Sequence, residues 1–582
     1  MLRNKEPRDK RIITGHDFIT EEKEEVTGWR LVFGYFGIFL CVIGVLILMP
    51  LIMLIFYPEE SSNFAAFLLP GLISFISGLL LSLFIFRKKQ GRLTTIEDLI
   101  LLIGVWILAI LLSSIPYYFY GYNFHQAMFE STSGYTSAGL TIMDWGKEIK
   151  DLGDGTSDVY SHMLFFHRAL TELVGGIGLV LVVSSAISER SGLNIYLLEG
   201  HNDKLLPNLA KSARLIFSIY MGYIIFGTIL YCCVGVKPFD ALTHAMTAVA
   251  TGGFSTKANN VNTLVMEVSR NGEWRGIFVE IVSEFLMLAG GTNFVIHYSL
   301  FRGKFKVLRH FEFWAFVGVM ILVWPFMVAG MTKYYNGNIA AGFRYGTFEM
   351  ISGLSTCGFQ AIDSYQAHAI GGSGIYGFSQ ISSTITPAEA ATGYANGSLI
   401  QFPTYLLFLL GLVMIIGMQN GSTSGAVKMN RVSLCFMDIW WRIKKTVGIP
   451  EQKEVHTIYR YGNKTKVEKN EVTEAWTYLG IYVATLLIGA TLMSAIIYGC
   501  NITKNDGLQT PYTWLDCFFE FSSCIGTVGL GCGITNVNTL PLLLWIEMIG
   551  MLLGRLEIFV YFTLVGKMIR RTRNHKFLYR KA

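Results

Sequence analysis

Long apolar runs alternate with short polar stretches along most of this chain. The runs cover residues 31–56, 99–118, 215–234, 311–331 and 476–498, and several exceed the roughly 18 residues that mark a membrane-spanning helix. Between them lie stretches rich in glycine, serine and threonine, such as AMFESTSGYTSAGLT at 127–141. These residues favour turns and interrupt helices. The pattern predicts an all-α polytopic membrane protein whose helices are repeatedly interrupted.

The composition supports this class. The 582 residues are 52% hydrophobic and only 15% charged, whereas an ordinary soluble domain is about 25% charged. The nine cysteines are scattered and odd in number, with neither the spacing of a zinc site nor the pattern of a disulfide framework. A soluble fold is therefore excluded.

Positive charge is placed unevenly. Lys and Arg cluster in the N-terminal tail and at 87–89, 302–309, 428–469 and 567–581, whereas alternate loops such as 144–158 are acidic or neutral. The positive-inside rule predicts that both termini are cytoplasmic, in a plasma membrane that would be the inner membrane of a Gram-negative cell. A nucleic-acid surface is disfavoured, because the clusters lie at the ends of apolar spans and lack interleaved aromatic residues.

One motif recurs four times at a fixed spacing. Glu130, Glu349 and Glu520 each follow a phenylalanine and precede a glycine by nine positions, and His244 takes the place of Glu in the remaining copy. The four cores are Ser137-Ala138-Gly139, Thr251-Gly252-Gly253, Thr356-Cys357-Gly358 and Thr527-Val528-Gly529. Each core follows a half-apolar segment and precedes a long helix, which argues against coincidence among the 60 glycines.

The half-apolar segments are too short to cross a bilayer. They cover about 123–135, 238–249, 342–354 and 512–524, and a dozen helical residues span about 18 Å against a hydrocarbon core of about 30 Å. Non-helical backbone at membrane depth is tolerated only inside protein or beside a water-filled cavity. We therefore predict four helix–pore-loop–helix repeats around one central pore, preceded by two extra transmembrane helices.

The predicted organisation assigns each part of the chain to a tail, helix pair, repeat or loop. It comprises a cytosolic tail (1–30), two leading helices (31–86), repeat 1 (98–186), repeat 2 (211–300), repeat 3 with an interrupted second helix (311–433), a cytoplasmic loop (434–473), repeat 4 (474–570) and a basic tail (571–582).

The four cores suit a dehydrated monovalent cation. Backbone carbonyls can replace hydration water, glycine permits the necessary dihedral angles, and each short helix directs its partly negative C-terminal end inward. The cores contain no side-chain carboxylates, which argues against a divalent filter. Glu130, Glu349 and Glu520 are expected at the outer ends of the short helices, where they would stabilise the helix dipole or attract cations to the vestibule.

Two further features bear on the interior. The sequence GMQNGSTSGA interrupts the second helix of repeat 3 and should unwind it at Gly421, Ser422, Thr423, Ser424 and Gly425, since glycine costs a helix about 1 kcal/mol relative to alanine. A packing seam of small residues is the alternative. A charge such as Arg555 costs about 2.5–3.5 kcal/mol at mid-membrane and must face a partner or the pore.

Other charged residues within the helices are expected to have a structural role or are assigned no role. Arg168 and Glu172 are four residues apart and are predicted to pair on one helix face. Glu280 and Glu284 share that spacing but are both acidic, so no role is assigned to them.

These motifs resemble the Trk/Ktr/HKT superfamily of microbial and plant potassium transporters, most closely its TrkH branch. The resemblance runs from about residue 31 to about residue 570 and includes FESTSGYTSAGLT, ATGGFST, STCGFQ and GTVGLGCGI, with the second-helix segments ELVGGIGLV, LAGGTNFVIHYSLFRGK, GMQNGSTSGAVKMNRV and MLLGRLEIF. It implies a potassium-conducting subunit with four pore loops in one chain. It also implies a homodimer with one pore per protomer and a cytosolic nucleotide-binding regulatory ring related to TrkA.

The resemblance further implies roles for individual residues. Gly139 occupies the position at which sodium-selective relatives carry serine, and this glycine favours potassium. Ser137-Ala138 and Leu140 depart from the common pattern, so the selectivity for potassium could be less strict. Residues 421–425 would plug the pore below the filter. Arg555 would act as an electrostatic barrier beside this loop, and a structural ion pair with a distant carboxylate is the alternative.

Three other functions are alternatives to potassium uptake. Sodium or weakly selective cation conduction would use the same architecture. Proton-coupled symport would need a titratable relay near the four cores, and an enzyme would need a motif such as HExxH or GxSxG, which the sequence lacks. Potassium is then the transported ion, with no organic cofactor and no nucleic acid. The basic segment 428–469 could dock an acidic regulatory ring or hold membrane lipid headgroups.

Overall fold

The computed structural model describes residues 26–86, 93–152, 156–178, 209–335, 337–362, 402–447, 456–504 and 510–579. Most of this part of the chain is α-helical. The predicted tail residues 1–25, the end of repeat 1 (179–186), the loop residues 448–455 and the last three residues lie outside the described ranges.

The helices of the described ranges follow one another in the chain as α1 (Trp29–Leu48), α2 (Ala65–Ile85), α3 (Thr95–Ser113), α4 (Ile115–Phe119), α5 (Phe124–Thr136), α6 (Trp145–Glu148), α7 (His162–Ile177), α8 (Leu209–Cys233), α9 (Pro238–Val249), α10 (Asn260–Ser269), α11 (Glu273–Gly291), α12 (Phe294–Phe301), α13 (Phe311–Tyr334), α14 (Ile339–Ser355), α15 (Thr404–Ile416), α16 (Met429–Val447), α17 (Lys469–Gly499), α18 (Trp514–Gly526), α19 (Pro541–Arg555) and α20 (Ile558–Tyr579). Short 3-10 segments cover Met49–Ile55, Pro58–Asn63 and Phe305–Leu308.

Two small antiparallel hairpins depart from a purely helical fold. Strands β1 (Ile149–Asp151) and β2 (Ser157–Val159) pair with Ile149 opposite Val159. Strands β3 (Thr457–Arg460) and β4 (Asn463–Lys466) pair with Thr457 opposite Lys466. The second hairpin and most of α16 occupy the segment predicted as a cytoplasmic loop, so the described part of that segment contains regular structure.

Six helices in the described ranges are long and apolar enough to cross a membrane, and two bent pairs bring the number to as many as eight. The predicted class of multi-pass helical membrane protein is confirmed at this level. The leading pair, α1 and α2, packs closely through glycines, because a Cβ at Gly37 would lie 2.8 Å from the Gly78 carbonyl oxygen and one at Gly44 would lie 2.7 Å from that of Gly71. Small residues let helices approach in this way within a bilayer.

Interrupted second helices are more common than the sequence suggested. The expected break in repeat 3 lies between Ile416 and Met429. The sequence analysis predicted no break in the second helices of repeats 2 and 4, but α11 and α12 are bent by 105° and α19 and α20 by 88°. These bends were missed because the polar pair Thr292-Asn293 and the turn around Glu557, which has a positive φ of 58°, end helices without the long small-residue signature of repeat 3.

The four short helices α5, α9, α14 and α18 lie at the centre of the packed interior. Their inner turns are buried, and side chains such as Phe129, Phe348 and Phe519 belong to the main hydrophobic core. Three of these helices agree with the predicted segments to within about two residues, whereas α14 begins earlier, at Ile339.

Candidate ion pathway

The same backbone turn follows each short helix. The first core residues, Ser137, Thr251, Thr356 and Thr527, have φ values of 53°, 51°, 58° and 49°. This left-handed conformation is uncommon for residues with a Cβ. The next N–H donates to the carbonyl five residues back in all four copies, as from Ala138 to Ser133 at 2.9 Å and from Val528 to Ser523 at 2.9 Å. Four different local sequences therefore adopt one conformation that ends the helix and turns the chain.

The third core residue is a glycine with positive φ in every copy, at 72°, 88°, 79° and 106° for Gly139, Gly253, Gly358 and Gly529. A Cβ on Gly139 would overlap the carbonyl oxygen of Gly252. Equivalent overlaps would occur between Gly253 and Cys357, between Gly358 and Val528, and between Gly529 and Ala138. Each segment thus abuts the middle carbonyl of the next, and the fourth returns to the first.

The four segments therefore form a closed ring of main-chain groups. A cavity adjoins the ring and is lined by all four core glycines. Leu140, Trp145, Lys257, Gln360 and Thr535 also line it. The structure brings the twelve predicted core residues together, although the four cores are separated from one another by more than a hundred positions in the chain.

The hydroxyl groups of the cores face different partners. The Ser137 Oγ donates to the Glu172 carbonyl oxygen at 3.5 Å, and the Thr356 Oγ1 accepts from the Gly425 N–H at 2.8 Å. The hydroxyls of Thr251 and Thr527 are buried and have no hydrogen-bond partner among the described residues. Two hydroxyl oxygens therefore remain available near the inner end of the ring.

The three glutamates of the repeated motif support the chain after the glycines. Glu130 accepts the Ile142 N–H at 2.6 Å, Glu349 the Ala361 N–H at 3.1 Å and Glu520 the Cys532 N–H at 2.6 Å. Each accepted N–H lies twelve positions ahead of its glutamate. The carboxylates are fully buried in the middle of the short helices, so the predicted position at the outer helix ends was wrong. Their shared contact is with the outgoing strand.

The second repeat uses different supports. The His244 Nε2 lies 2.9 Å from the Ser255 Oγ, and the Glu172 carboxylate on α7 accepts the Phe254 N–H at 3.1 and 3.2 Å. Arg168 donates to the Ser255 carbonyl oxygen at 3.2 Å. Glu172 on a helix of repeat 1 therefore supplies to repeat 2 the carboxylate acceptor that a glutamate of the short helix supplies in the other three repeats.

The predicted pairing of Arg168 with Glu172 was wrong. Arg168 instead forms a buried ion pair with Glu130, with Nε and Oε2 3.1 Å apart. Glu280, to which no role was assigned, pairs with Arg344 on α14 at 2.5 Å. The i,i+4 spacing gave the wrong partner for Arg168 and no partner for Glu280, because in each case the oppositely charged residue lies on a short interior helix.

The interrupted segment 417–428 packs directly against the inner side of the ring. The Thr423 hydroxyl donates to the Gly290 carbonyl oxygen at 2.9 Å and lies 3.3 Å from that of Val249 at the end of α9. The Gly425 N–H donates to the Thr356 hydroxyl, and a Cβ on Gly425 would overlap the Thr527 hydroxyl. The predicted gate residues 421–425 are therefore in contact with the cores of repeats 3 and 4.

Arg555 ends α19 beside this segment. Its guanidinium donates to the Thr423 carbonyl oxygen at 3.0 Å and to the Gly176 carbonyl oxygen at 3.0 Å, and it also contacts that of Gly175. Arg555 thus joins the interrupted segment to the second helix of repeat 1.

A second cavity lies on this side of the segment. It is lined by residues including Ser422, Ser424, Lys428, Arg555 and Glu557. Sequence reasoning missed Lys428, and it also missed the ion pair between Glu557 and Arg431 at 2.7 Å. The lysine lies three positions after Gly425, and this proximity to the small-residue run is the one signal that could have drawn attention to it.

Sequence reasoning also missed a buried lysine beside the ring. Lys257 lines the first cavity, and its Nζ lies 3.1 Å from Asp240 and 3.0 Å from Glu267. It also donates to the Ser157 carbonyl oxygen at 2.8 Å, which joins the second repeat to the β1–β2 hairpin. Lys257 is therefore ion-paired with two carboxylates, those of Asp240 and Glu267, next to the ring.

The fold and this ring define a multi-pass helical membrane transport protein. Residues 66–576 match the TrkH family model, which describes a cation transport protein. The chain therefore belongs to the TrkH family, as the sequence motifs indicated, and this is a family of transporters and not of enzymes.

Individual relatives agree with this assignment. The chain is 24% identical over 539 residues to an uncharacterized cation transporter of Methanocaldococcus jannaschii, covering 91% of this chain and 94% of the relative. It is 24% identical over 498 residues to the Trk system potassium uptake protein TrkH of Escherichia coli, covering 82% and 86%. The crystal structure of the potassium transporter TrkH from Vibrio parahaemolyticus has the same fold, with a TM-score of 0.69 at 20% identity over 92% of this chain and 98% of that one.

Proposed function

We propose that this chain conducts potassium ions across the plasma membrane, the inner membrane in a Gram-negative cell, through a selectivity filter built from main-chain oxygens. The observation that carries the proposal is the closed ring, in which each core glycine abuts the middle carbonyl of the next segment. Four repeats would then surround one central pore. Relatives named as potassium uptake proteins support potassium as the ion.

The electrostatics of the ring favour a cation. The short helices α5, α9, α14 and α18 all end at the cores, and a helix C-terminus carries about half a negative charge. The cores supply carbonyl and hydroxyl oxygens and no carboxylate, a set suited to a weakly hydrated monovalent ion. Glycine at the third position leaves room for neighbouring main chains to meet.

The interrupted segment is proposed as the gate. Residues 421–425 lie against the inner side of the ring, where they would occlude an ion leaving the filter. Arg555 places a positive charge beside them and fixes Thr423 to Gly176 through carbonyl hydrogen bonds. Opening would require these bonds to break, and charge-assisted hydrogen bonds of this kind contribute about 1.5–3 kcal/mol each.

The proposed assembly follows the names of the relatives. The Trk system naming supports a regulatory subunit, which we propose is a cytosolic nucleotide-binding ring similar to TrkA. A homodimer with one pore per protomer remains a prediction of the sequence resemblance. Both termini would be cytoplasmic, because the basic loops lie on that side under the positive-inside rule.

Sodium or weakly selective conduction is the second candidate. Two observations favour it: the bulky Leu140 lines the cavity beside the ring, and Ala138 offers no hydroxyl in the first core. The two candidates share a fold and differ only in how closely the ring fits the ion.

Cation flux into reconstituted vesicles distinguishes the two. With potassium, rubidium and sodium gradients of equal size and with internal and external pH clamped, the proposal expects potassium and rubidium to enter at least about tenfold faster than sodium. Equal entry of sodium would favour the second candidate, and no entry of any monovalent cation would refute both.

The gate is tested by Arg555→Gln in the same vesicles. Loss of the positive charge and of the bonds to Thr423 and Gly176 should raise basal potassium flux severalfold, and shortening 421–425 should do the same. Arg442→Gln is the matched control, because Arg442 is 76% exposed and pairs with Asp438 far from the ring. Unchanged or abolished flux with normal folding would show that this segment does not occlude the pathway.

A further inference from the structure

The helix that leaves the interrupted segment, α16, carries an apolar stripe that no other described part of the chain covers. The stripe consists of Phe436, Ile439, Trp440, Ile443 and Val447, which are between 42% and 84% exposed. Their spacing of three and four residues places them on one face of the helix. We call these five residues the α16 stripe.

The opposite face of α16 is firmly packed. Leu434 and Cys435 are buried in a cluster with Phe311 and Ile458, and Trp441 stacks on His456 with ring centroids 4.2 Å apart. The helix is therefore held in place by α13 and by the β3–β4 hairpin. Its exposed stripe is a fixed surface of the protein.

The stripe extends past the apolar part of the neighbouring span. The Trp476 Nε1 on α17 donates to the Asp438 Oδ2 at 3.0 Å, and Arg431 stacks over Tyr478 at 4.0 Å, so the two helices are antiparallel. Beyond Asp438, α16 runs beside the charged first turns of α17, with the sequence KNEVTE. The end of the stripe thus lies at the membrane boundary and not within the hydrocarbon core.

Basic residues flank the stripe at this level. Lys444 and Lys445 are exposed, and Arg442 is 76% exposed. An apolar stripe with Trp beside Lys and Arg is typical of helices that lie at a lipid interface, and juxtamembrane basic residues attract anionic headgroups.

We propose that the α16 stripe, with Lys444 and Lys445, is a docking surface for anionic phospholipid of the cytoplasmic leaflet. A second copy of this chain would bring the same basic residues to the contact, and their like charges disfavour it. The proposal is independent of which ion the protein conducts.

Lipid retention by the purified full-length protein tests this surface. Dioleoyl phosphatidylglycerol and dioleoyl phosphatidylcholine are titrated separately in detergent, and bound lipids are counted by native mass spectrometry. Lys444→Gln/Lys445→Gln should weaken the apparent affinity for phosphatidylglycerol about thirtyfold, since two basic residues near an anionic surface together contribute roughly 2 kcal/mol. Trp440→Gln should weaken it about tenfold, because it removes the largest apolar side chain of the α16 stripe. Binding of phosphatidylcholine should change less than twofold in the lysine variant.

Matched variants keep the result interpretable. Lys464→Gln/Lys466→Gln removes the same charge from exposed positions of β4 and should leave the affinity unchanged, and Lys444→Arg/Lys445→Arg should retain it. Unaltered phosphatidylglycerol affinity in both test variants, or an equal loss in the β4 control, would overturn the proposal. A change of oligomeric mass in Trp440→Gln without a change in lipid binding would assign the stripe to a second copy and would also overturn it.

Discussion

The second repeat and the other three reach the same ring geometry by different supports. In repeats 1, 3 and 4 a buried glutamate of the short helix accepts an N–H twelve positions ahead. In repeat 2 that position is His244, which contacts Ser255, and the carboxylate comes from Glu172 of repeat 1. The backbone turn and the glycine at its end are common to all four.

This difference distinguishes the backbone features that the ring geometry requires from the side-chain contacts that support the ring. The positive φ and the absence of a Cβ recur without exception because neighbouring main chains meet at each glycine. The supporting residue differs between repeats and only its role is the same, since any buried acceptor can form a hydrogen bond with a backbone N–H of the segment after the glycine. The core segment of repeat 2 also depends on residues of repeat 1, because Glu172 and Arg168 of α7 form hydrogen bonds with it.

Gly139→Ser should have the largest effect. Its Cβ would overlap the carbonyl oxygen of Gly252, so the first and second segments would have to separate. We expect the ratio of potassium to sodium flux to fall at least about tenfold. Gly121→Ser is the control, because Gly121 also has a positive φ, of 87°, but has no atom within 4 Å of an added Cβ. An unchanged flux ratio in Gly139→Ser would mean that Gly139 is not a filter residue.

Glu520→Gln should have the next largest effect. The two carboxylate oxygens accept the N–H groups of Cys532 at 2.6 Å and Thr535 at 3.0 Å, and a glutamine would turn its NH₂ group toward one of these donors. An unsatisfied buried group costs about 1–3 kcal/mol, so the thermal unfolding temperature in detergent should fall. Glu59→Gln, at an exposed position, serves as the control. An identical melting temperature for Glu520→Gln and the wild type would argue against the supporting role.

Glu172→Gln should have the smallest effect. Both oxygens of Glu172 lie near one N–H, that of Phe254, and glutamine retains an oxygen that can accept it. The cost should remain below about 1 kcal/mol, whereas Glu172→Leu should cost about 1–3 kcal/mol because the Phe254 N–H would lose its acceptor. Comparing the two melting temperatures checks this order, and an equal loss in both variants would show that repeat 2 requires the negative charge, which neither variant retains, and not an acceptor for the Phe254 N–H.

The sequence predicted the parts of the site that depend on spacing. Three glycines at a fixed distance from a Phe-Glu pair and a fourth at the same distance from His244 identified the ring segments, and five small residues in succession identified the break after Ile416. Both signals are local, because each reflects the backbone conformation of one short segment and does not depend on a partner elsewhere in the chain.

The sequence did not predict the contacts that depend on the partner element. Glu130 was placed at a helix end because its distance was counted back from Gly139, whereas its role is set by the strand ahead. Arg168 was paired with Glu172 by helical spacing, but Glu130 on another helix is its partner. The bend at Thr292-Asn293 was missed for the same reason, since the carbonyl of Gly421 that accepts the Phe294 N–H at 3.2 Å lies more than a hundred residues away.

Anomalous diffraction from crystals soaked in thallium(I), a heavy substitute for potassium, tests the ring most directly. We predict an anomalous peak on the common axis of Gly139, Gly253, Gly358 and Gly529, at a distance from their main-chain oxygens that permits direct coordination. The peak should weaken when potassium is added in excess. Protein that conducts potassium but shows no thallium density at this ring, or shows it only elsewhere in the membrane region, would contradict the account.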